Sequence, residues 1–163
     1  MTGISTMKAF TQALEDLDIE RQRVVAARFV ADVLDLTDDD RVIQAQRVAA
    51  DANATPDALM SAYHSAWHAA VESSVSSDME LIDWRRQTAH FVAKACAESL
   101  APAHAGISSS HLAINAANHC RMARVCACIE HEAEKPSLSA AEKALTEQIQ
   151  TQFDILQRYL EEM

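Results

Sequence analysis

Glycine and proline are almost missing from this chain, with 2 and 3 among 163 residues. Their scarcity excludes collagen-like repeats and proline- or glycine-rich disorder. It also removes the means of building a phosphate cradle: there is no P-loop and no G-x-G-x-x-G, so nucleotide chemistry is not expected. Alternating β-branched stretches are absent too, which argues against a sheet. Aromatic residues make up 5% of the chain, so any core must be packed mostly from small side chains. Basic residues are in deficit, 14 Lys plus Arg against 24 Asp plus Glu. The resulting formal charge of −10 repels phosphate backbones and anionic membrane faces, which makes nucleic acid a poor partner and a basic protein face a better one. No run approaches the ~18 uninterrupted apolar residues of a membrane span. Met1 to Phe10 lacks the basic start and apolar core of a signal peptide, so a cytoplasmic location is expected.

What the chain has in quantity is alanine, 31 residues of it, within a hydrophobic share of 49%. That composition predicts an all-α fold, a compact bundle of about six to seven helices in one domain over residues 1–163. A chain of this length buries roughly 70% of its unfolded surface, enough for a core without disulfides. With so few breakers, helix starts must be read from caps. Ser5 and Asp18 suit the first two helices, and Thr37 before Asp38, Asp39 and Asp40 suits the third, whose acidic first turn matches the positive end of a helix dipole. Thr55 followed by Pro56 marks the fourth. Ser77 with Glu80 and Ser139 with Glu142 match the S-x-x-E capping box for the fifth and seventh. The sixth should run from about Ser108 to Glu134. Its stretch Leu112 to Ile129 carries only Arg121 and Arg124 as charges and is apolar all round, so it is the expected central, alanine-rich buried helix. Residues 1–36 are expected to form a helical appendage on the rest.

Four cysteines, Cys96, Cys120, Cys126 and Cys128, raise the question of a metal or redox site. On one helix Cys126 and Cys128 project about 200° apart and Cys120 and Cys126 about 240°, so none of these pairs shares a ligand sphere. Reduced packing thiols are the expectation. A sharper constellation is His64, His68 and Glu72, whose spacing of four stacks them along one helix face as ligands of a transition metal would stack. Counted from Tyr63, however, they drift to about 100°, 140° and 180°, while Leu59, Ala66, Trp67 and Ala70 stay within about 60°, so the row should point to solvent and the others to the core. No H-E-x-x-H or paired E-x-x-H motif accompanies it. His119 falls among Leu112, Ala116, Ala123 and Cys126, a buried sector. There it reads as a core histidine held by Asn115 or by a facing helix, with a haem ligand or general base as the alternative. No C-x-x-C-H and no G-x-S-x-G is present, and Ser108 to Ser110 before His111 read as a helix start. Catalysis is therefore not expected, and no cofactor either, a transition metal being the alternative.

The remaining signal is clustered acid. Asp32, Asp35, Asp38, Asp39 and Asp40 crowd one helix junction, Glu130, Glu132 and Glu134 the end of the sixth helix, and Asp78, Glu80 and Asp83 lie beside Trp84. Asp38, Asp39, Asp40, Asp78, Glu80 and Asp83 are the candidates for steering a basic partner, with Trp84 as the anchor.

The segment Val33 to Ala70, with Asp40-Arg41, Ile43-Gln44-Ala45, Val48-Ala49, Ala54-Thr55 and alanine-spaced Leu59, Ala62, Ala66 and Ala70, resembles a helix pair in a family of alanine-rich helical immunity proteins of bacterial polymorphic toxin systems. His104 to Ala123 resembles that family's alanine-rich helix with histidines. The family pattern carries more tryptophan and fewer cysteines. The resemblance implies a cytoplasmic protein that neutralises a toxin or effector by binding it, and it assigns no binding residue. Taken together, the chain is expected to be an acidic, non-catalytic protein-binding module of immunity-protein or phage-inhibitor type. A metal- or cofactor-binding bundle with a redox or sensory role and a homo-oligomeric scaffold are the alternatives.

Overall fold

A computed structural model describes residues 3–74, 83–102, 111–131 and 137–163. Among these residues it is an all-α bundle of seven helices: α1 (Met7–Glu15), α2 (Ile19–Val33), α3 (Asp40–Ala50), α4 (Pro56–Ser73), α5 (Trp84–Leu100), α6 (Leu112–His131) and α7 (Leu138–Glu162), with a 3₁₀ turn at Leu34–Leu36. Among the described residues there is no strand. No helix among them is long and apolar enough to cross a membrane.

Side-chain oxygens start six of these helices, each taking one of the backbone N–H groups that a first turn leaves unpaired. Asp18 accepts from Arg21 N at 2.9 Å and Thr55 from Ala58 N at 3.2 Å, with Pro56 at the first helical position as expected. Three caps fall one or two residues from the expected ones. Thr6 rather than Ser5 caps α1, Asp39 rather than Thr37 caps α3, and Ser137 rather than Ser139 caps α7. Each site offers two oxygen-bearing residues in close succession, and packing of the helix that follows selects the phase. Thr37 still takes part, its hydroxyl accepting from Asp39 N at 3.2 Å. Helix α5 starts from an Asp83 cap, whereas the Ser77–Glu80 box lies outside the described residues.

One buried cluster draws on all seven helices. Phe10 of α1 lies 5.8 Å from the Phe29 ring and 5.3 Å from the Phe153 ring, so three helices from opposite ends of the sequence meet on aromatic contacts. Helices α1 and α2 are therefore core elements and not an appendage. Val25, Ala26, Ala27, Phe29, Val30 and Val33 are wholly buried because α2 is covered by α3, α5, α6 and α7. Helix α6 is central as expected, packed by α1, α2, α5 and α7, and it shares the centre with α2 and α5. Its buried residues include Ala113, Ala116, Ala117, Cys120 and Ala123, whose small side chains let neighbouring axes approach. Cys96, Cys120 and Cys126 are buried free thiols and Cys128 is half-buried. Burial pushes Cys96 up to about 12 and Cys126 to about 11, as expected for packing thiols.

Buried amides and guanidinium groups fix the register between helices. Gln46 of α3 donates to Ala27 O at 3.0 Å, Gln152 of α7 donates to Ala117 O at 2.9 Å, and Arg121 Nε donates to Gln152 Oε1 at 2.6 Å. Arg23 donates from Nη1 to Ala49 O at 2.6 Å and Asp51 O at 2.9 Å, capping the carbonyl end of α3.

Candidate functional site

The start of α3, the end of α4 and the start of α5 come together, and the joint is ionic. Asp39, as the α3 cap, accepts from Arg41 N at 3.0 Å and takes the Arg41 guanidinium on both oxygens, Nε at 3.1 Å and Nη2 at 2.8 Å. The same Nη2 lies 2.8 Å from Glu72 Oε2 on α4. Arg86 of α5 donates to Glu72 O at 2.9 Å, and Arg85 lies 3.5 Å from Asp38. Asp83 accepts from Arg86 N at 3.0 Å as the α5 cap. Hydrogen bonds from Arg41 hold both Asp39 and Glu72 below their ordinary carboxylate values, and their acceptance in turn raises Arg41.

The structure thus gathers Asp38, Asp39 and Asp40 with Asp83 and Trp84, residues that the sequence held more than 40 positions apart. It also interleaves them with Arg41, Arg85 and Arg86, so this end is a mosaic of both signs and not the uniformly acidic surface that clustering in sequence suggested. Asp39 and Asp83 spend an oxygen each on capping, while Asp38 and Asp40 remain exposed. Trp84 is half-buried. Asp78 and Glu80 lie outside the described residues. Asp32 and Asp35 belong to a separate cluster with Arg124, which donates to Asp32 O at 2.7 Å and to Asp35 at 3.2 Å.

His64 and His68 are exposed on α4, as the helical spacing indicated, and Glu72 at the end of that row is engaged by Arg41. Among the described residues no group of three or more His, Cys, Asp or Glu side chains is placed to hold a metal ion. Trp67 is a correction. Expected in the core, it is 44% exposed, with Val71 one turn on at 54%. Tyr63 stacks on Trp67 with centroids 6.4 Å apart, making an aromatic stripe along α4 that runs into the ionic joint at Glu72. The buried residues of α4 are all alanine, at 62, 66, 69 and 70. Measured from Ala66, Trp67 lies about 100° and Val71 about 140° round the helix. The alanines were the signal: a helix that packs through alanine sits close to its neighbours and leaves its large residues at the edge.

His119 is mostly buried, its side chain 22% exposed, and its partners come from α5 and not from Asn115. Phe91 stacks on the ring at 6.0 Å and Glu98 Oε1 lies 3.9 Å from Nε2. Asn115 is half-buried on the preceding turn. Burial, with Lys94 and His90 adding like charge, lowers His119 to about 4, and burial raises Glu98. Burial thus works against charge on both groups, and at 3.9 Å the approach is longer than a hydrogen bond. Glu98 Oε2 has no hydrogen-bond partner among the described residues. With its value near 4 the His119 imidazole is uncharged at neutral pH, and its stacking on Phe91 fits a packing role.

Comparison with known proteins finds no family model, no curated protein and no solved structure that matches the chain.

Proposed function

We propose that this chain is a non-catalytic protein-binding module that acts by covering the working face of another protein, in the manner of an immunity protein or phage inhibitor. The observation that supports this reading is exposed Trp67 and Val71 of α4, with half-buried Tyr63 stacked on Trp67, running into the Asp38–Arg85 and Asp39–Arg41–Glu72 ionic joint. A stacked aromatic anchor beside arginines and carboxylates has the composition that dominates binding energy at protein interfaces. Trp67 takes the anchoring role that the sequence suggested for Trp84, because Trp67 has the greater free surface. Asp38 and Asp40 steer a basic rim on the partner, while Arg41, Arg85 and Arg86 select against partners of uniform positive charge.

The test is parallel affinity capture from cognate cell lysate with the wild-type chain, Trp67→Ala/Val71→Ser and Asp38→Lys/Asp40→Lys. A protein that the wild type retains and both variants lose, with the aspartate variant slowing association more at low salt, is the expected result. Identical captured sets for all three chains overturn the reading. The same stripe also favours a second reading, self-association through α4, in which light scattering gives twice the chain mass for the wild type and the single-chain mass for Trp67→Ala/Val71→Ser.

A further inference from the structure

His64 and His68 share the solvent face of α4 with Trp67 and Val71, and all four residues are exposed. Taking His64 as zero, Val71 lies about 20° and Trp67 about 60° round the helix on one side, and His68 about 40° on the other. The spacing of four stacks the two imidazoles one turn apart, within reach of a single metal ion. Neither imidazole makes a hydrogen bond or ion pair among the described residues, and His64 has a ring contact with Tyr63 at 5.7 Å between centroids. Glu72, next in the row, is not a third ligand, because Arg41 holds its carboxylate at 2.8 Å. One chain therefore presents two nitrogen ligands, half of the tetrahedral set that Zn²⁺ takes, and imidazole is a ligand that suits this ion.

The rest of the face fits a second copy as the source of the other half. From Ala58 to Val71 the helix carries no Asp, Glu, Lys or Arg, an uncharged strip on a chain whose formal charge is −10. Two such chains repel each other over most of their surface, and along this strip they approach with least repulsion. A dication between the strips adds attraction to both. Trp67, 44% exposed, and Val71, 54% exposed, leave water when the strips close. A two-fold axis through the ion brings the same patch of each copy together, so that two histidine pairs make four ligands. We infer that Zn²⁺ bridges two copies of this chain, each giving His64 and His68, with the Trp67 and Val71 faces closed against one another. The inference rests on self-association through α4, the second reading above, and adds the ion that drives it.

Light scattering and isothermal titration of the untagged full chain test the bridge. In EDTA the chain has the single-chain mass. On titration with zinc chloride it reaches twice that mass at one ion per two chains, and calcium chloride at the same concentration leaves it single. His64→Ala/His68→Ala puts a better helix former at two exposed positions, so it stays helical, and it keeps the single-chain mass in zinc. Trp67→Ala/Val71→Ser retains the ligands and weakens the zinc-linked pair at least about tenfold, through the apolar surface it no longer buries. A paired mass in EDTA leaves self-association standing and overturns the zinc bridge, whereas a single-chain mass in both solutions overturns both. One zinc per chain with no change of mass, or pairing in zinc that survives in the double-histidine variant, also overturns the bridge.

Discussion

Arg41 joins Asp39 to Glu72, one terminal nitrogen lying 2.8 Å from a carboxylate oxygen of each, so the first turn of α3 and the last turn of α4 share a single cation. All three side chains are well exposed to solvent or close to it, and the joint orients a surface more than it stabilises a fold.

Removing that cation should be visible in the acids themselves. Both carboxyls titrate below their ordinary values because Arg41 donates to them. A depressed carboxylate contributes stability above its unfolded-state value, and that contribution disappears as pH falls through the lower folded-state value. In Arg41→Gln, carboxyl-carbon NMR titration should show Asp39 and Glu72 both moving up towards ordinary behaviour. Unmoved titration curves would mean that the pairing is not held in solution.

Phe10 distinguishes a core α1 from a dispensable one. Its ring is 1% exposed and meets both Phe29 and Phe153, so Phe10→Ala should cost about 3–5 kcal/mol in urea denaturation. A loss below about 1 kcal/mol would return α1 to the status of an appendage.

The Arg121–Gln152 bond should behave as a coupled pair. Gln152→Leu removes the acceptor at 2.6 Å from a largely buried guanidinium and is expected to cost about 1–3 kcal/mol. Adding Arg121→Met should recover part of that loss, because an apolar pair leaves no unsatisfied donor. Additive losses in the double-mutant cycle would show that the two residues act separately.

His119 makes stability depend on pH in a defined window. Its folded value near 4 lies below the unfolded 6.5, so between those two pH values the unfolded chain binds the extra proton and stability rises with pH. The span corresponds to about 3 kcal/mol, fully lost below pH 4. Glu98, raised by burial, acts with the opposite sign above its ordinary value and offsets part of the rise. Stability of His119→Gln, measured by denaturant titration across pH 4 to 7, should lose the histidine's positive slope. An unchanged slope would place its origin elsewhere.

The aspartates at 38 to 40 and Asp83 with Trp84 were legible as candidates because clustered acids with a tryptophan beside them stand out in any linear reading. Arg41, Arg85 and Arg86 were not, since each looks like an ordinary surface cation until the helix ends meet. Trp67 was misplaced for a related reason. A helical wheel centred on its largest residues assumes that size marks the buried side, and α4 buries alanine instead.

Helix content and most helix starts follow from the chain alone, because they depend on alanine, on the scarcity of glycine and proline, and on capping oxygens acting within a few residues. The central place of α6 follows too, since a stretch with two charges in 18 residues has few other places to go. What the tertiary structure decided were matters of contact between distant segments: that α1 and α2 are core, that His119 meets Phe91 and Glu98, and that the acidic clusters are laced with arginine. None of these is encoded in local spacing, because each depends on which helices become neighbours, and that is settled only when the whole apolar surface is buried at once.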